Sequence, residues 1–237
     1  MSKILIFDLE CNNLYADIGH ILCMSYKWLG DKSITTIRIR DGKNFIKDKT
    51  DDSFIVKQAS RLFEEADVVV AHFGTFFDEP YLRTRLLMTN CPSLPPAKLV
   101  DPWKTAKKKL RLHSNRLDSI FEAFDIDAKK PKLKLKIWDK AATGDIKALK
   151  YVEHRCICDV DALAKVFLKF RPFMLELPNM AVVEGKESAC PRCGIDRKMT
   201  KRGYYLTKSG KHSRFQCQSC GGWSHARKKE SFKSLYV

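Results

Sequence analysis

Apolar and polar positions along the chain switch between two periods. Residues 3–9 (KILIFDL) form a short, nearly continuous apolar run, as a strand buried on both faces does. Residues 20–29 (HILCMSYKWL) and 33–40 (SITTIRIR) are rich in β-branched and aromatic side chains, and the second run partly alternates. Together these three runs predict a meander. Residues 54–66 (FIVKQASRLFEEA) space their apolar side chains as one face of a helix does. DVVVAHF, 67–73, is another short strand, and 77–90 is helical again. After the loop CPSLPP, 91–96, the segment KLVD reads as a fifth strand. Residues 102–127 read as two short helices broken at His113-Ser114-Asn115, KKPKLKLK (129–136) as a basic loop, and 145–170 as one or two helices. Three strands followed by alternating helix and strand imply an α/β domain, a mixed five-stranded sheet flanked by helices.

The helical period fades over 171–188 (RPFMLELPNMAVVEGKES), which contains two prolines. The pattern predicts a first domain over 1–172, a linker over 173–187 and a small module over 188–237. Within 237 residues there is room for one core of about 150–200 residues and a satellite of about 40–60. No apolar run approaches the roughly 20 residues of a membrane helix, and no membrane partner is expected. The N-terminal MSKILIFDLE carries acids inside its apolar run, which makes a poor signal peptide. The expected setting is intracellular.

Charge narrows the choice of partner. The formal net charge is +16, and such a surplus favours polyanions because phosphate contacts release condensed counterions. Residues 186–237 hold thirteen Lys or Arg against Glu187, Asp196 and Glu230. The small module is therefore the more basic part.

Nine cysteines are an odd number for a disulfide framework, and four of them are set apart by spacing. Cys190-Pro-Arg-Cys193 and Cys217-Gln-Ser-Cys220 are two C-x2-C knuckles, each followed by a glycine, Gly194 and Gly221. Four thiolates complete a tetrahedral site for one structural Zn²⁺ and leave no position open for catalysis. The segment between them reads as a hairpin turning at Ser209-Gly210, so the module reads as a zinc ribbon. Arg202, Tyr204, Lys211 and Arg214, with Tyr205, Lys208, His212 and Phe215, mix charge with aromatic rings. That mixture suits contact with nucleic acid. The same side chains could instead clothe a very small domain, and a zinc ribbon can also dock a protein.

The acids carry the chemistry. Asp8 and Glu10 in FDLEC stand at i and i+2 and so share a face of the first strand. Two carboxylates on one face of an apolar strand are costly unless a cation holds them or the strand end reaches water. In 68-VVVAHFGTFFDEPYLRTR-85, Asp78 opens a helix with Pro80 in its first turn, either as a functional acid or as a simple cap. In 154-HRCICDVDAL-163, Asp159 has Leu163 and Val166 at i+4 and i+7 and points inward. Asp161 has Lys165 at i+4, a solvent-face pair. Cys156 and Cys158 read as packing residues.

D-x-E in the first strand, then HxGxxFDxPxL, then H-x4-D before the last helix resemble the DEDD superfamily of 3′–5′ exonucleases. The resemblance covers about residues 3–170. The segment 100-VDPWKTAKKKLRLHSNRLDSI-120 is also similar to the stand-alone phage and prokaryotic members. It implies a ribonuclease-H-like fold in which Asp8, Glu10, Asp78 and Asp159 hold two Mg²⁺ or Mn²⁺ ions. It implies a histidine as general base five residues before the last Asp, which is His154; the tyrosine subtype would need Tyr at position 155, which is Arg. Asp159 and a histidine five residues away cannot share a helical face. His154 is therefore expected on a turn ahead of the helix or at its fraying end. Many relatives have Asn where Phe73 stands, and Phe73 could stack on a base or pack inward. By the same analogy Asn115 and Arg116 are candidate substrate contacts. Lys107 and its neighbouring lysines, with those of 129–136, could line the path of the strand or simply be a solvated face.

The expectation is a metal-dependent 3′–5′ exonuclease acting on the single-stranded 3′ end of DNA or RNA, in the cytoplasm of a prokaryotic or phage-infected cell. Two alternatives stand beside it. One is a nucleic-acid-binding accessory subunit of a larger nucleoprotein complex, active only or mainly inside it, with the ribbon contacting protein. The other is an endonuclease of the wider ribonuclease-H-like class.

Overall fold

The computed structural model describes residues 2–208 and 210–231. The chain divides into two compact units. One is Lys3–Lys169, and the other holds Ser2 and the described residues from Phe170 onward.

In the first unit the five expected strands form. They are β1 (Ile4–Cys11), β2 (Ile21–Trp28), β3 (Thr35–Arg38), β4 (Val68–Val70) and β5 (Lys98–Val100). Their order is β3-β2-β1-β4-β5. β1 pairs antiparallel with β2, and β2 with β3, whereas β1, β4 and β5 run parallel. Parallel neighbours need a crossover. The helix α1 (Ser53–Glu65) supplies it before β4, and α2 (Asp78–Met88) before β5. This is the α/β mixed sheet expected from the pattern.

β1 is the central strand. Ile4, Leu5, Ile6, Phe7 and Leu9 are buried, so its two faces both meet apolar layers and polar residues appear only toward its C-terminal end. β4 is three valines, fully buried, whose branched side chains suit a strand paired on both edges. α1 turns Ile55, Val56, Ala59 and Phe63 inward, and Phe63 meets Phe7 edge-on at 5.3 Å. After β5 come α3 (Pro102–Lys109), α4 (Leu117–Ala123), α5 (Leu135–Ala142) and α6 (Ile146–Phe170). α6 buries Leu149, Val152, Cys156, Val160, Leu163 and Val166, a stripe at helical spacing.

The basic loop expected over 129–136 ends two residues sooner, because α5 begins at Leu135. Ala141 is the one buried side chain of α5, so the Lys–Leu alternation at its start hid the helix.

Residues 173–187, expected as a linker, belong to the second unit. They contain α7 (Met180–Val183), capped by Asn179, whose side chain accepts from the Ala181 amide at 3.0 Å. Met174, Leu177 and Met180 are buried there. The Arg171 guanidinium donates to the Arg192 carbonyl at 2.9 Å, and Arg192 in turn donates to the Met174 carbonyl at 2.8 Å. A three-stranded antiparallel sheet follows: β6 (Met199–Thr207), β7 (Gly210–Cys217) and β8 (Trp223–His225), in that order. The hairpin between β6 and β7 closes on the pair Thr207 and Gly210; Ser209, half of the expected turn, lies outside the described residues. Among the described residues no helix is long and apolar enough to cross a membrane.

Candidate active site and metal centres

The C-terminal end of β1 gathers the acids. Asp8 and Glu10 project from the same face, opposite Ser25 and Cys23 of β2, and the strand bulges directly after Glu10. α6 contributes Asp159 from its buried side. Asp8, Glu10 and Asp159 each place a carboxylate oxygen within 4.8 Å of the other two. Asp78, the first residue of α2, is also buried, and its Oδ1 accepts from the Leu9 amide at 3.2 Å. That bond ties it to the backbone between Asp8 and Glu10, outside the trio but next to it. Asp161, by contrast, pairs with Lys165 at 2.7 Å on the half-exposed side of α6, as helical phase predicts.

Such crowding is unfavourable for charge. Burial, then the Asp78, Glu10 and Asp159 carboxylates, push Asp8 well above the usual carboxylate range. Burial raises Glu10 to about 7, although Arg155 pulls the other way. Burial raises Asp78 to about 7 against the opposing pull of the Leu9 amide. Asp159 is also raised by burial, with Lys130 and Arg155 opposing.

Two cations pair with acids of this cluster. Lys130 Nζ lies 3.2 Å from Asp159 Oδ2. Arg155 Nε lies 2.9 Å from Glu10 Oε1, and its Nη2 is 3.9 Å from Asp159 Oδ2. Arg155 also donates to the Pro131 carbonyl at 2.7 Å, which fastens the 129–134 loop beside the acids. Sequence reasoning passed over Arg155 except as the residue that is not tyrosine. The signal was present: it stands four before Asp159, hence on the same helical face.

The donor set fits a hard divalent cation. It is all oxygen, it is too crowded to ionise fully without positive charge, and Asp159 Oδ1 is buried with no hydrogen-bond partner among the described residues.

His154 departs from expectation. It lies well inside α6, which begins at Ile146 and is anchored ahead of it by buried Leu149 and Val152, and so it is neither on a turn nor at a frayed end. Its ring is exposed and stands 3.8 Å from Cys158 Sγ. From this turn of α6 it is Arg155 that meets the acids. Cys156 is buried with its Sγ 3.3 Å from the Asp8 carbonyl, a packing position.

Of the expected substrate contacts, Asn115 lies beside His72. The His72 ring Nε2 is 2.9 Å from the Asn115 carbonyl, and burial lowers His72 to about 4. Asn115 Oδ1 is buried and has no hydrogen-bond partner among the described residues. Arg116 is the residue preceding α4, and Lys107 sits on α3 with its ammonium 4.7 Å from the centre of the Trp103 ring.

In the second unit Cys190, Cys193, Cys217 and Cys220 place their sulfurs within 4.8 Å of one another. Amides of Arg192, Ser219 and Gly222 donate to Cys190, Cys217 and Cys220 sulfurs at 3.3–3.4 Å. Gly194 and Gly221, one residue past each knuckle, both take φ of 72°, a left-handed conformation that favours glycine. Two identical turns thus present four soft ligands, the donor set of a closed zinc site. Beyond them, Tyr204 carries Lys211 at 3.7 Å and Lys201 at 4.8 Å from its ring centre. Arg214 lies over Trp223 at 4.9 Å and donates to the Arg202 carbonyl at 3.1 Å.

Comparison with known proteins agrees with this layout. The chain is similar in fold to a family B DNA polymerase from the hyperthermophilic archaeon Pyrobaculum calidifontis, at 16% identity and a TM-score of 0.56. The match covers 78% of this chain but 26% of the polymerase. No curated protein matches the sequence. The family model described as RNase_H superfamily matches residues 5–169, the span that holds the sheet and all four acids. By that match the chain belongs to the RNase_H superfamily.

Proposed function

We propose that the protein is a two-metal-ion 3′–5′ exonuclease that shortens single-stranded DNA or RNA to 5′-nucleotides. One observation carries the reading: the oxygens of Asp8, Glu10 and Asp159 converge within 4.8 Å at the end of the central strand. Family membership supports a nuclease, and the net charge of +16 supports a polyanionic substrate.

Asp8, Glu10, Asp78 and Asp159 would hold two Mg²⁺ or Mn²⁺ ions. Bound there, the ions supply Lewis-acid activation of water and neutralise charge on the phosphate and the leaving oxygen. Lys130 and Arg155, which pair with Asp159 and Glu10, offset the charge of the acids and would compete with the ions for them. The motif spacing assigns the proton of the attacking water to His154, whose exposed ring, now against Cys158, would have to turn toward the acids that Arg155 meets in this structure. The water oxygen would bond to phosphorus as the bond to the 3′ oxygen breaks, and that oxygen would leave with the bonding pair and take a proton from solvent water. In the second unit the four cysteines hold a structural Zn²⁺, and Arg202, Tyr204, Lys211 and Arg214 contact the nucleic acid.

The test is a time course on 5′-labelled single-stranded DNA and RNA of one sequence, with Mg²⁺, Mn²⁺ or EDTA, wild type beside Asp8→Ala. A metal-dependent ladder that shrinks from the 3′ end, absent in the variant, is expected. Cutting of a circular strand would reject exonuclease in favour of endonuclease. Intact substrate in every lane, with binding retained, would reject an enzyme active on its own in favour of the accessory subunit that works only inside a larger complex.

A further inference from the structure

The loop between β4 and α2 is built around an unusual backbone. Phe73 has φ of 64°, a left-handed conformation that a bulky residue rarely adopts. Gly74 follows it, and any side chain there would begin 2.3 Å from the Ala71 Cβ. A single buried carboxylate holds the strained turn. Asp101 accepts from the amides of Phe73 at 2.9 Å and Thr75 at 3.3 Å, and also from Trp103 at 2.9 Å, where it caps α3. The loop and the start of α3 are therefore locked to one another.

The effect of this lock is to display aromatic rings. Phe73, Phe76 and Trp103 form a closed trio, with centroids 5.2, 5.0 and 5.5 Å apart and Trp103 edge-on to both phenylalanines. Packing alone would take such rings out of water, yet Phe76 is 55% exposed and Phe73 39%. Two ammonium groups stand over the rings, Lys107 at 4.7 Å from Trp103 and Lys104 at 5.7 Å from Phe76. Strain of this kind persists where the surroundings over-determine it, and that is characteristic of functional loops. Two residues beyond Phe76 the same loop runs into Asp78.

We infer that Phe73, Phe76 and Trp103 form a platform on which the unpaired bases of a single-stranded nucleic acid stack, with Lys104 and Lys107 placed for its phosphates. This inference rests on the nuclease reading for its position beside the acids. Charge selects the occupant, since aromatic faces bearing cations suit bases linked by phosphates better than an apolar peptide. Stacking also selects single strands, because both faces of a paired base are already covered by its neighbours. Every base has a face to offer, so the platform is tolerant of sequence.

The experiment measures binding of 5′-labelled oligothymidylate by fluorescence anisotropy in EDTA, and hydrolysis of the same strand in Mg²⁺. It uses the full chain, Phe76→Leu, Phe76→Trp, and a matched strand with abasic sites at its 3′ end. Phe76 is exposed, so its replacement leaves the core untouched. Phe76→Leu should weaken binding about tenfold, and Phe76→Trp should restore it. On the abasic strand, wild type and Phe76→Leu should bind alike. Equal affinity of Phe76→Leu and wild type for the intact strand overturns the platform, as does an equal loss on the abasic strand. Hydrolysis separates the two readings. Metal-dependent shortening with an unchanged KM in Phe76→Leu removes the platform and keeps the nuclease. A base-dependent binding loss without any shortening keeps the platform and removes the nuclease.

Discussion

The two candidate metal centres solve opposite problems. In the second unit four cysteines come from two turns with the same glycine conformation, and backbone amides already point at three of the sulfurs. Fewer apolar side chains are buried there, Met174, Leu177, Met180 and Ala189 among them, and Cys190 and Cys217 are buried with them. In the sheet unit the acids sit at the edge of a large apolar core that stands without them, with Phe7, Ile55, Leu82 and Phe167 all inaccessible. There the cost is electrostatic, and Lys130 and Arg155 offset it. One centre makes a fold; the other is imposed on a fold. A metal should therefore be a condition of structure in the first case and of chemistry in the second.

The sharpest break between them is expected from removing one ligand in each. Cys217→Ser should lose zinc and with it the order of the second unit, since binding of structural zinc is worth about 10–16 kcal/mol of folding in small domains. The sheet unit should survive, which metal analysis with limited proteolysis would show. Unchanged zinc content in the variant would overturn the four-thiol assignment. Asp159→Ala should do the reverse. Hydrolysis should vanish, while the melting temperature in EDTA holds or rises because one crowded acid is gone. Full activity in that variant would sink the acid site.

Next in size is a pH effect. Glu10 and Asp78, both raised to about 7, bind protons more tightly folded than unfolded. Their contribution to stability is present below the ordinary carboxylate range and is lost as pH rises through about 7. In EDTA the sheet unit should therefore melt at a lower temperature at pH 8 than at pH 5. Saturating Mg²⁺ should flatten that slope, and a melting temperature indifferent to Mg²⁺ at pH 8 would contradict the assignment. Lys130→Met should bind Mn²⁺ several-fold more tightly by calorimetry, because the ion no longer displaces an ammonium; weaker binding would make Lys130 a helper instead of a competitor. The smallest expected effect concerns the ribbon. Lys211→Ala should lower the salt slope of single-strand binding by about 0.7 if that lysine meets one phosphate. An unaltered slope would leave Lys211 to its cation–aromatic contact with Tyr204.

The same contrast explains what could be read from the sequence. The sheet was legible because its strands are dense in valine, isoleucine and leucine, and the four thiols because their ligands lie in paired short-range motifs. Asp159 was separable from Asp161 by helical phase alone. Elements with few buried side chains were not legible: α5 buries Ala141, and β8 has three residues. His154 was misplaced because motif spacing suggested a loosened backbone, while the buried leucine and valine ahead of it keep the helix regular. Lys130 was invisible as a partner of Asp159, since nothing local distinguishes it from the lysines around it. Charge pairing across 29 positions is a property of the fold.

The sulfur arrangement has a last consequence. Cys190 and Cys220 stand 3.8 Å apart, and Cys193 and Cys217 3.7 Å, each pair bridging the two knuckles. Were a metal to leave these four thiols before the unit loses its order, two cross-knuckle thiol pairs would be left at close range. Under oxidising conditions they would couple and fasten together the same turns the metal had joined. Reductant, as well as chelator, then governs whether this unit can be reloaded.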